Sequence, residues 1–300
     1  MGDRAVRARA GRTGAGDRRG GLPWGLLTAV ALPTALVGGF LLARGQLNDE
    51  SVPKTHVLPG VGEGVTVLAI WAHPDDEITC AGALAQMAKA GARVVLVYLT
   101  RGEAAQDTGY APAELAKVRI QEAKAAGALL GADAVEVLDF PDGGLSRIDP
   151  AKPKAAIAEL IGRYRPQVLV SFDEKVGFYG HPDHVRTGVW VRELFETPTR
   201  EGAWPRLLYQ VTLPKALVRL ALRLVEAFRN NYPKGKDTGL PAPQMAVNIA
   251  GEALTKRALL DVHASQARII ADVQPYYDRL PAWLYYRLFD REYFVQLRRR

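Results

Sequence analysis

The sequence has only one cysteine, Cys80, among its 300 residues. A single thiol excludes an internal disulfide, and its position favours a small buried helix residue. No Gly-x-Gly-x-x-Gly motif follows the first predicted strand, so a dinucleotide-binding site has little support. The sequence also lacks an internal repeat. The length of 300 residues allows one large α/β domain or two small ones.

Positive charge is concentrated at the N-terminus. Residues 1–21 contain six arginines and two acidic residues, a net charge of +4, whereas the whole chain carries +7. The high isoelectric point therefore reflects mainly a basic tail. No nucleic-acid partner is predicted from it.

The next stretch, residues 22–43, contains no charged side chain. About twenty apolar residues suffice to cross a bilayer, and the basic residues before this stretch favour a cytoplasmic N-terminus. We therefore predict a single-pass membrane protein with an extracytoplasmic catalytic domain. Secretion after cleavage of a signal peptide is the alternative. Residues 44–64, which include Pro53 and Pro59, are predicted to be a linker, and residues 65–300 to be the folded domain.

In that domain, apolar runs alternate with longer amphipathic segments. This alternation predicts an α/β fold with a Rossmann-like, mostly parallel sheet flanked by helices. Strands are predicted at residues 65–71, 93–99, 134–138, 167–172, 205–213 and 245–249. Helices are predicted at residues 81–88, 112–130, 151–164, 181–194, 215–229 and 252–270.

An acidic loop, Ala72-His73-Pro74-Asp75-Asp76-Glu77, follows the first predicted strand. Ligands of open α/β sheets bind at the carboxyl ends of strands. Acidic residues near a helix start are also common, because they interact favourably with the helix dipole. The loop alone therefore leaves helix capping and ligand binding both open.

A second motif, Gly180-His181-Pro182-Asp183-His184, follows the predicted strand at 167–172. The chain has only five histidines, and three of them lie in these two motifs. In a parallel sheet, both loops open on the same edge. Histidine and carboxylate are good Zn²⁺ ligands, and a catalytic zinc needs three protein ligands and one open position.

The two motifs together resemble the LmbE/PIG-L family of zinc-dependent de-N-acetylases, which act on N-acetylglucosamine-containing conjugates. Further matching segments run in the family's order over about residues 64–297. They are Leu99-Thr100-Arg101-Gly102-Glu103, Arg119-Ile120-Gln121-Glu122, Phe140-Pro141-Asp142-Gly143 and His263-Ala264-Ser265-Gln266.

The resemblance implies roles for the residues of both motifs. His73, Asp76 and His184 would bind one Zn²⁺, or another divalent transition metal. Asp75 would be the general base. His181 would stabilise the oxyanion or protonate the leaving group. Two further residues are predicted at this site: Tyr179, to assist the intermediate or merely to pack, and Asp183, to orient a histidine as a hydrogen-bond acceptor.

The other matching residues are assigned to substrate or to support. Arg119 and Asp142 would bind sugar hydroxyls, although either could instead form a structural ion pair. Glu103 would bind substrate or support its loop. His263 would support the site from the last helix.

The function predicted by this resemblance is removal of the N-acetyl group from an N-acetylglucosamine-containing glycan, glycolipid or glycoside. A membrane-tethered sugar-binding module without activity is one alternative. Another is a metal-dependent hydrolase of a different ester or amide, although a phosphoesterase usually needs two metals. The predicted partners are an amino-sugar conjugate and, through residues 22–43, a membrane; the sequence predicts no oligomeric state.

Overall fold

A computed structural model of the chain describes residues 24–197, 205–235 and 239–298. The chain divides into two units, residues 1–42 and 43–300. The predicted basic tail, residues 1–21, lies outside the described residues. The second unit contains the sheet and the candidate site.

The prediction of a membrane location is wrong. A bilayer span needs about twenty apolar residues, and in the described ranges no helix combines the required length and apolarity. Helix α1 (Trp24–Leu47) instead runs past the end of the charge-free stretch. Within the second unit, its Arg44 donates to Asp290 at 3.1 Å.

The described residues form one eight-stranded sheet. Its strands are β1 (Lys54–Thr55), β2 (Thr66–Trp71), β3 (Arg93–Thr100), β4 (Ala134–Phe140), β5 (Val168–Ser171), β6 (Leu207–Thr212), β7 (Met245–Asn248) and β8 (Arg291–Arg298). The helices that follow α1 are α2 (Ala81–Lys89), α3 (Pro112–Leu130), α4 (Ala151–Tyr164), α5 (Gly177–Gly180), α6 (Pro182–Glu196), α7 (Lys215–Leu224), α8 (Glu226–Asn231), α9 (Ala253–Val262), α10 (Ala267–Val273) and α11 (Ala282–Leu288).

The strand order is β1-β7-β8-β6-β5-β2-β3-β4. Pairing is parallel except where β8 meets β6 and β7. The predicted α/β fold with a mostly parallel sheet is thus confirmed. The five strands in the order β4-β3-β2-β5-β6 form a doubly wound arrangement, in which the direction of strand addition reverses between β2 and β5. The first histidine motif follows β2, and the second follows β5.

The central strands are buried because their side chains are apolar on both faces. In β2 the side chains from Val67 to Trp71 are fully buried, as are those from Val94 to Leu99 in β3. Strand β8 was not predicted. It begins with two charged residues, Arg291 and Glu292, which are buried and paired.

Two predicted helices are each broken in the structure. The helix expected at 215–229 divides into α7 and α8 because Val225 is extended and the Asp272 carboxylate caps α8, accepting from the backbone of Glu226 and Ala227 at 2.7 and 3.0 Å. The helix expected at 252–270 ends at Val262. There His263 turns its ring towards Glu77. The predicted linker, residues 44–64, contains β1 and the buried Leu58.

A buried ion pair holds the C-terminal elements against α2. Lys256 of α9 pairs with Glu292 of β8, and both side chains are about 5% exposed. The Lys256 ammonium also donates to the Ile78 carbonyl at 3.1 Å. The Glu292 carboxylate accepts from the backbone of Gly82 and Ala83 at the start of α2.

We expect Lys256→Met to lower the free energy of unfolding by about 3–5 kcal/mol, because it leaves the Glu292 carboxylate buried without its cation. Urea unfolding measures the change. Lys154→Met is the matched control, since Lys154 pairs with Glu193 at the surface and such pairs contribute about 0–1 kcal/mol. Equal losses in the two variants would contradict the prediction.

Candidate active site

The first histidine motif forms a tight turn after β2. The Asp76 carboxylate accepts from the backbone N–H of His73 at 2.7 Å, and a short 3₁₀ helix, Asp76–Thr79, follows. Asp75 has φ 115°, a conformation that costs energy for any non-glycine residue. The turn therefore holds Asp75 and Asp76 in different directions.

Three predicted metal ligands lie at contact distances from one another. The His184 Nε2 lies 3.0 Å from an Asp76 oxygen and 3.3 Å from the His73 Nδ1. The other Asp76 oxygen lies 3.5 Å from the same His73 nitrogen. A tetrahedral zinc about 2.1 Å from each ligand keeps ligand atoms about 3.4 Å apart. The three residues therefore fit a zinc ion.

A second combination is also close enough to hold a metal. Ligand atoms of His73, His181 and His184 lie within 4.8 Å of one another. The His181 ring stands almost perpendicular to that of His73, with 5.0 Å between centroids. Ligand atoms of His73, Asp142 and Asp183 also lie within 4.8 Å of one another. The set His73, Asp76 and His184 fits one small ion because all three pairs have facing atoms 3.0–3.5 Å apart.

Outer contacts orient both ligand histidines. The His184 Nδ1 lies 3.2 Å from the Gly177 carbonyl oxygen, which accepts its proton and leaves Nε2 free for a metal. Gly177 has φ 59°, and a Cβ there would lie 2.7 Å from the His184 Cβ. The ring of His184 also stacks on Phe172, with 4.1 Å between centroids.

The Nε2 of His73 faces two carboxylates. It lies 3.0 Å from an Asp142 oxygen and 3.5 Å from an Asp183 oxygen. Asp183 also accepts from the backbone of Gly143 and Leu145. The predicted orienting residue Asp183 and the predicted sugar-binding residue Asp142 thus meet at the same imidazole.

Asp75 is paired with Arg119. The Asp75 carboxylate lies 3.0 Å from a guanidinium nitrogen of Arg119, which also donates to the carbonyls of Gly102 and Pro74. Burial raises the pKa of Asp75 to about 6, although the Arg119 charge acts in the opposite direction. Arg119 thus forms the ion pair that the sequence left open as its alternative role.

His181 precedes α6 and projects into the same cavity as the ligands. Its Nδ1 accepts from the backbone N–H of Asp183 at 3.3 Å. Burial, with the neighbouring His184 and His73, lowers the pKa of His181 to about 3. A neutral His181 ring therefore carries its proton on Nε2. Tyr179 packs edge-on against His184, with 4.9 Å between ring centroids.

Glu77 was not singled out as a site residue, although it ends the first motif. Its fully buried carboxylate accepts from the backbone N–H of Asp75 at 3.1 Å and pairs with His263. His263 therefore supports the turn that carries Asp75. Glu103 accepts from the backbone N–H of Asp142 at 3.2 Å, so it supports the loop that brings Asp142 to the site.

These groups open into one cavity of about 520 Å³. Its polar end is lined by predicted ligands and their neighbours, namely His73, Asp75, Asp76, Arg119, Asp142, Tyr179, His181 and His184. Such a volume is typical of a small-molecule site.

Comparison with known proteins identifies the family. The sequence pattern described as "PIG-L: GlcNAc-PI de-N-acetylase" matches residues 68–195. A relative from Nakamurella multipartita, 1D-myo-inositol 2-acetamido-2-deoxy-alpha-D-glucopyranoside deacetylase, is 32% identical over 68% of this chain and 80% of its own. The chain belongs to the PIG-L family. A Kineococcus radiotolerans deacetylase of the same name is 31% identical over 69% and 70% of the two chains. The resemblance and the predicted class of enzyme, an amidohydrolase, are therefore confirmed.

Solved structures support the fold of this PIG-L member. N,N'-diacetylchitobiose deacetylase from Pyrococcus horikoshii has a TM-score of 0.53 and 20% identity, and the match covers 78% and 84% of the chains. GalB, a 4-carboxy-2-hydroxymuconate hydratase from Pseudomonas putida, has a TM-score of 0.55 and 19% identity, with 79% and 97% covered. Because the second protein catalyses a different reaction, the reaction must be argued from the site.

Proposed function

We propose that this PIG-L member is a zinc-dependent hydrolase that removes the N-acetyl group from an N-acetylglucosamine-containing conjugate. The observation that carries the proposal is the spacing of His73, Asp76 and His184, whose facing atoms lie 3.0–3.5 Å apart. Asp75 lies next to them in the chain but is not one of the three proposed ligands. The names of the curated relatives, which are deacetylases of an N-acetylglucosamine-inositol glycoside, support this substrate class.

A zinc ion held by these ligands would activate a water molecule and polarise the acetyl carbonyl. In this proposal Asp75 takes the proton from that water. Its carboxyl, with a pKa of about 6, is suited to proton transfer near neutral pH. Arg119 keeps this carboxylate in place through the 3.0 Å ion pair.

In this proposal His181 stabilises the negative charge that develops on the acetyl oxygen. Because its Nδ1 accepts from the backbone of Asp183, its Nε2–H is available as a donor to that oxygen. A neutral ring favours this role over proton donation to the leaving amine. Asp75, once protonated, can return its proton to the amine, so one carboxylate serves both steps.

The test is acetate release by the full-length, zinc-loaded protein. N-acetylglucosamine, N,N'-diacetylchitobiose and 1D-myo-inositol 2-acetamido-2-deoxy-α-D-glucopyranoside would be supplied separately. We expect release from at least one of them, its loss on treatment with a chelator, and its recovery when zinc is added back. Failure to release acetate from all three by protein with bound zinc would overturn the proposal, as would full activity after complete metal removal.

A further inference from the structure

The peptide bond between Pro74 and Asp75 is held at both of its polar atoms. Its N–H, on Asp75, donates to the Glu77 carboxylate at 3.1 Å. Its carbonyl, on Pro74, accepts from the Arg119 guanidinium. Because a peptide bond is planar, fixing both atoms fixes the plane from which the Asp75 backbone continues. We call this arrangement, made by Glu77 and Arg119 around one peptide bond, the peptide clamp.

The peptide clamp acts on a residue in an unfavourable conformation. Asp75 has φ 115° and ψ −16°, and a residue with a side chain keeps such angles only where its surroundings enforce them. A return of φ to negative values would change the direction of the Asp75 carboxylate, which now lies 3.0 Å from Arg119. Holding the peptide plane therefore also holds the carboxylate.

Glu77 is itself anchored by a distant part of the chain. Its second carboxylate oxygen lies 2.5 Å from the Nε2 of His263, and both side chains are fully buried. The other ring nitrogen of His263 is buried and has no hydrogen-bond partner among the described residues, so Glu77 is the group that orients this ring. His263 follows α9 and lies outside residues 68–195, the part that matches the family pattern. The peptide clamp thus connects the turn after β2 to the C-terminal part of the chain.

Glu77 has no direct route to the reaction. Neither Glu77 nor His263 lines the cavity, and Glu77 belongs to none of the side-chain groups that could hold a metal in the described ranges. Both Glu77 oxygens are occupied, one by the Asp75 N–H and the other by His263. Any effect of Glu77 on turnover must therefore pass through these partners, of which Asp75 lines the cavity.

We propose that Glu77 is a positioning residue, which uses its pair with His263 to hold the Pro74–Asp75 peptide in the orientation that the general base needs. The inference rests on the proposed function, because Asp75 is the base only in that reaction. It gives a role to a residue that the sequence resemblance left without one. It also gives the C-terminal part of the chain, through His263, a part in the reaction.

The test is Glu77→Met in the full-length, zinc-loaded protein, because methionine has nearly the same length and removes both acceptors. We expect kcat to fall by about 10- to 100-fold, as a small displacement of a reacting group does, and KM to stay unchanged. Acetate release from the N-acetylglucosamine conjugate with the fastest turnover gives both constants, with kcat expressed per bound zinc so that unfolded protein does not count. An unchanged kcat would overturn the inference.

Glu252→Met is the matched control for the loss of a buried carboxylate. Glu252 is 5% exposed, accepts from Lys89 and Thr255, and does not line the cavity. This variant should keep its kcat per bound zinc even where it lowers the free energy of unfolding. A fall in kcat equal to that of Glu77→Met would show that the loss comes from general destabilisation and would overturn the inference.

Two conservative variants separate the hydrogen bond from the fold. Glu77→Gln keeps an oxygen for the Asp75 N–H, and its amide N–H can donate to the Nε2 of a neutral His263, so most of kcat should remain. Glu77→Asp keeps the charge but withdraws the carboxylate by about 1.5 Å, the length of one carbon–carbon bond, so kcat should fall. Equal kcat in Glu77→Gln and Glu77→Met, or full kcat in Glu77→Asp, would contradict the peptide clamp.

A double-mutant cycle shows whether Glu77 acts through Asp75. Adding Glu77→Met to Asp75→Asn should leave the residual rate unchanged, because the side chain that Glu77 positions no longer takes a proton. Two residues that act independently would instead give factors that multiply. Multiplied factors would overturn the inference.

Failure of the inference and failure of the proposed function give different results. An active parent protein whose Glu77→Met variant has a normal kcat refutes the positioning role and leaves the deacetylase intact. Without turnover of any conjugate the proposed function fails, and hydrogen exchange of the Asp75 amide then tests the peptide clamp alone. Faster exchange in Glu77→Met than in Glu252→Met would support the clamp, and equal exchange would refute it.

Discussion

Asp75→Asn is expected to lower kcat by about 10²- to 10⁴-fold while the protein keeps its bound zinc. The carboxylate lies beside the predicted metal ligands, pairs with Arg119 at 3.0 Å, and is the proposed general base. Removing a general base typically costs that factor in rate. Asparagine is preferred to alanine because residue 75 has φ 115°, and asparagine tolerates positive φ better.

Zinc content and acetate release would be measured on the same preparation. Asp107→Asn is the matched control, because Asp107 also has positive φ, at 58°, yet is exposed and pairs with Arg268 at the surface. The control should keep both zinc and turnover. Loss of zinc from the Asp75 variant would contradict the separation of ligand and base, and near-normal kcat would remove Asp75 from the reaction.

The parts of the fold that were predictable depend on local pattern. Runs such as Val67 to Trp71 are apolar on both faces, so they indicate central strands of a parallel sheet. Loops after such strands open on one edge. This was sufficient to expect the two histidine motifs on one edge of the sheet, where they can face each other. The structure adds that the strands before them, β2 and β5, are neighbours.

The individual partners in most contacts between distant segments were not predictable. His263 pairs with Glu77 across 186 positions, and this contact ends α9 where the helical pattern continues. Asp272 divides α7 from α8 by capping a helix 46 positions earlier. The sequence analysis marked His263 as a support of the site but did not name Glu77 as its partner, and nothing in spacing or composition marks Asp272. Each becomes apparent only when the sheet places the two segments side by side.

For the same reason, the sequence left the roles of several site residues undecided. A carboxylate in a loop is compatible with binding a sugar hydroxyl or with orienting a histidine, and the sequence does not say which group it faces. Asp142 lies 3.0 Å from His73. Arg119 faces Asp75 and two backbone carbonyls rather than open space. We therefore expect both residues to affect catalysis through the groups that they hold, besides any contact with substrate.

His73→Ala is expected to abolish stoichiometric zinc binding and, with it, turnover. The Nδ1 of His73 lies 3.3 Å from His184 and 3.5 Å from Asp76, so its loss leaves two ligands where a catalytic zinc needs three. His56→Ala is the matched control, since His56 is exposed and lies in the segment before β2. Metal content after dialysis against a weak chelator measures the difference.

His181→Ala discriminates between two ligand sets that share His73 and His184, one completed by Asp76 and the other by His181. With His73, Asp76 and His184 as ligands, this variant keeps its zinc but loses turnover, because only the donor to the acetyl oxygen is gone. With His73, His181 and His184 as ligands, it loses zinc as His73→Ala does, whereas Asp76→Ala keeps it. The 3.0 Å distance from His184 to Asp76, which suits two ligands of one zinc ion, favours the first result. Zinc retained by His73→Ala would contradict both sets.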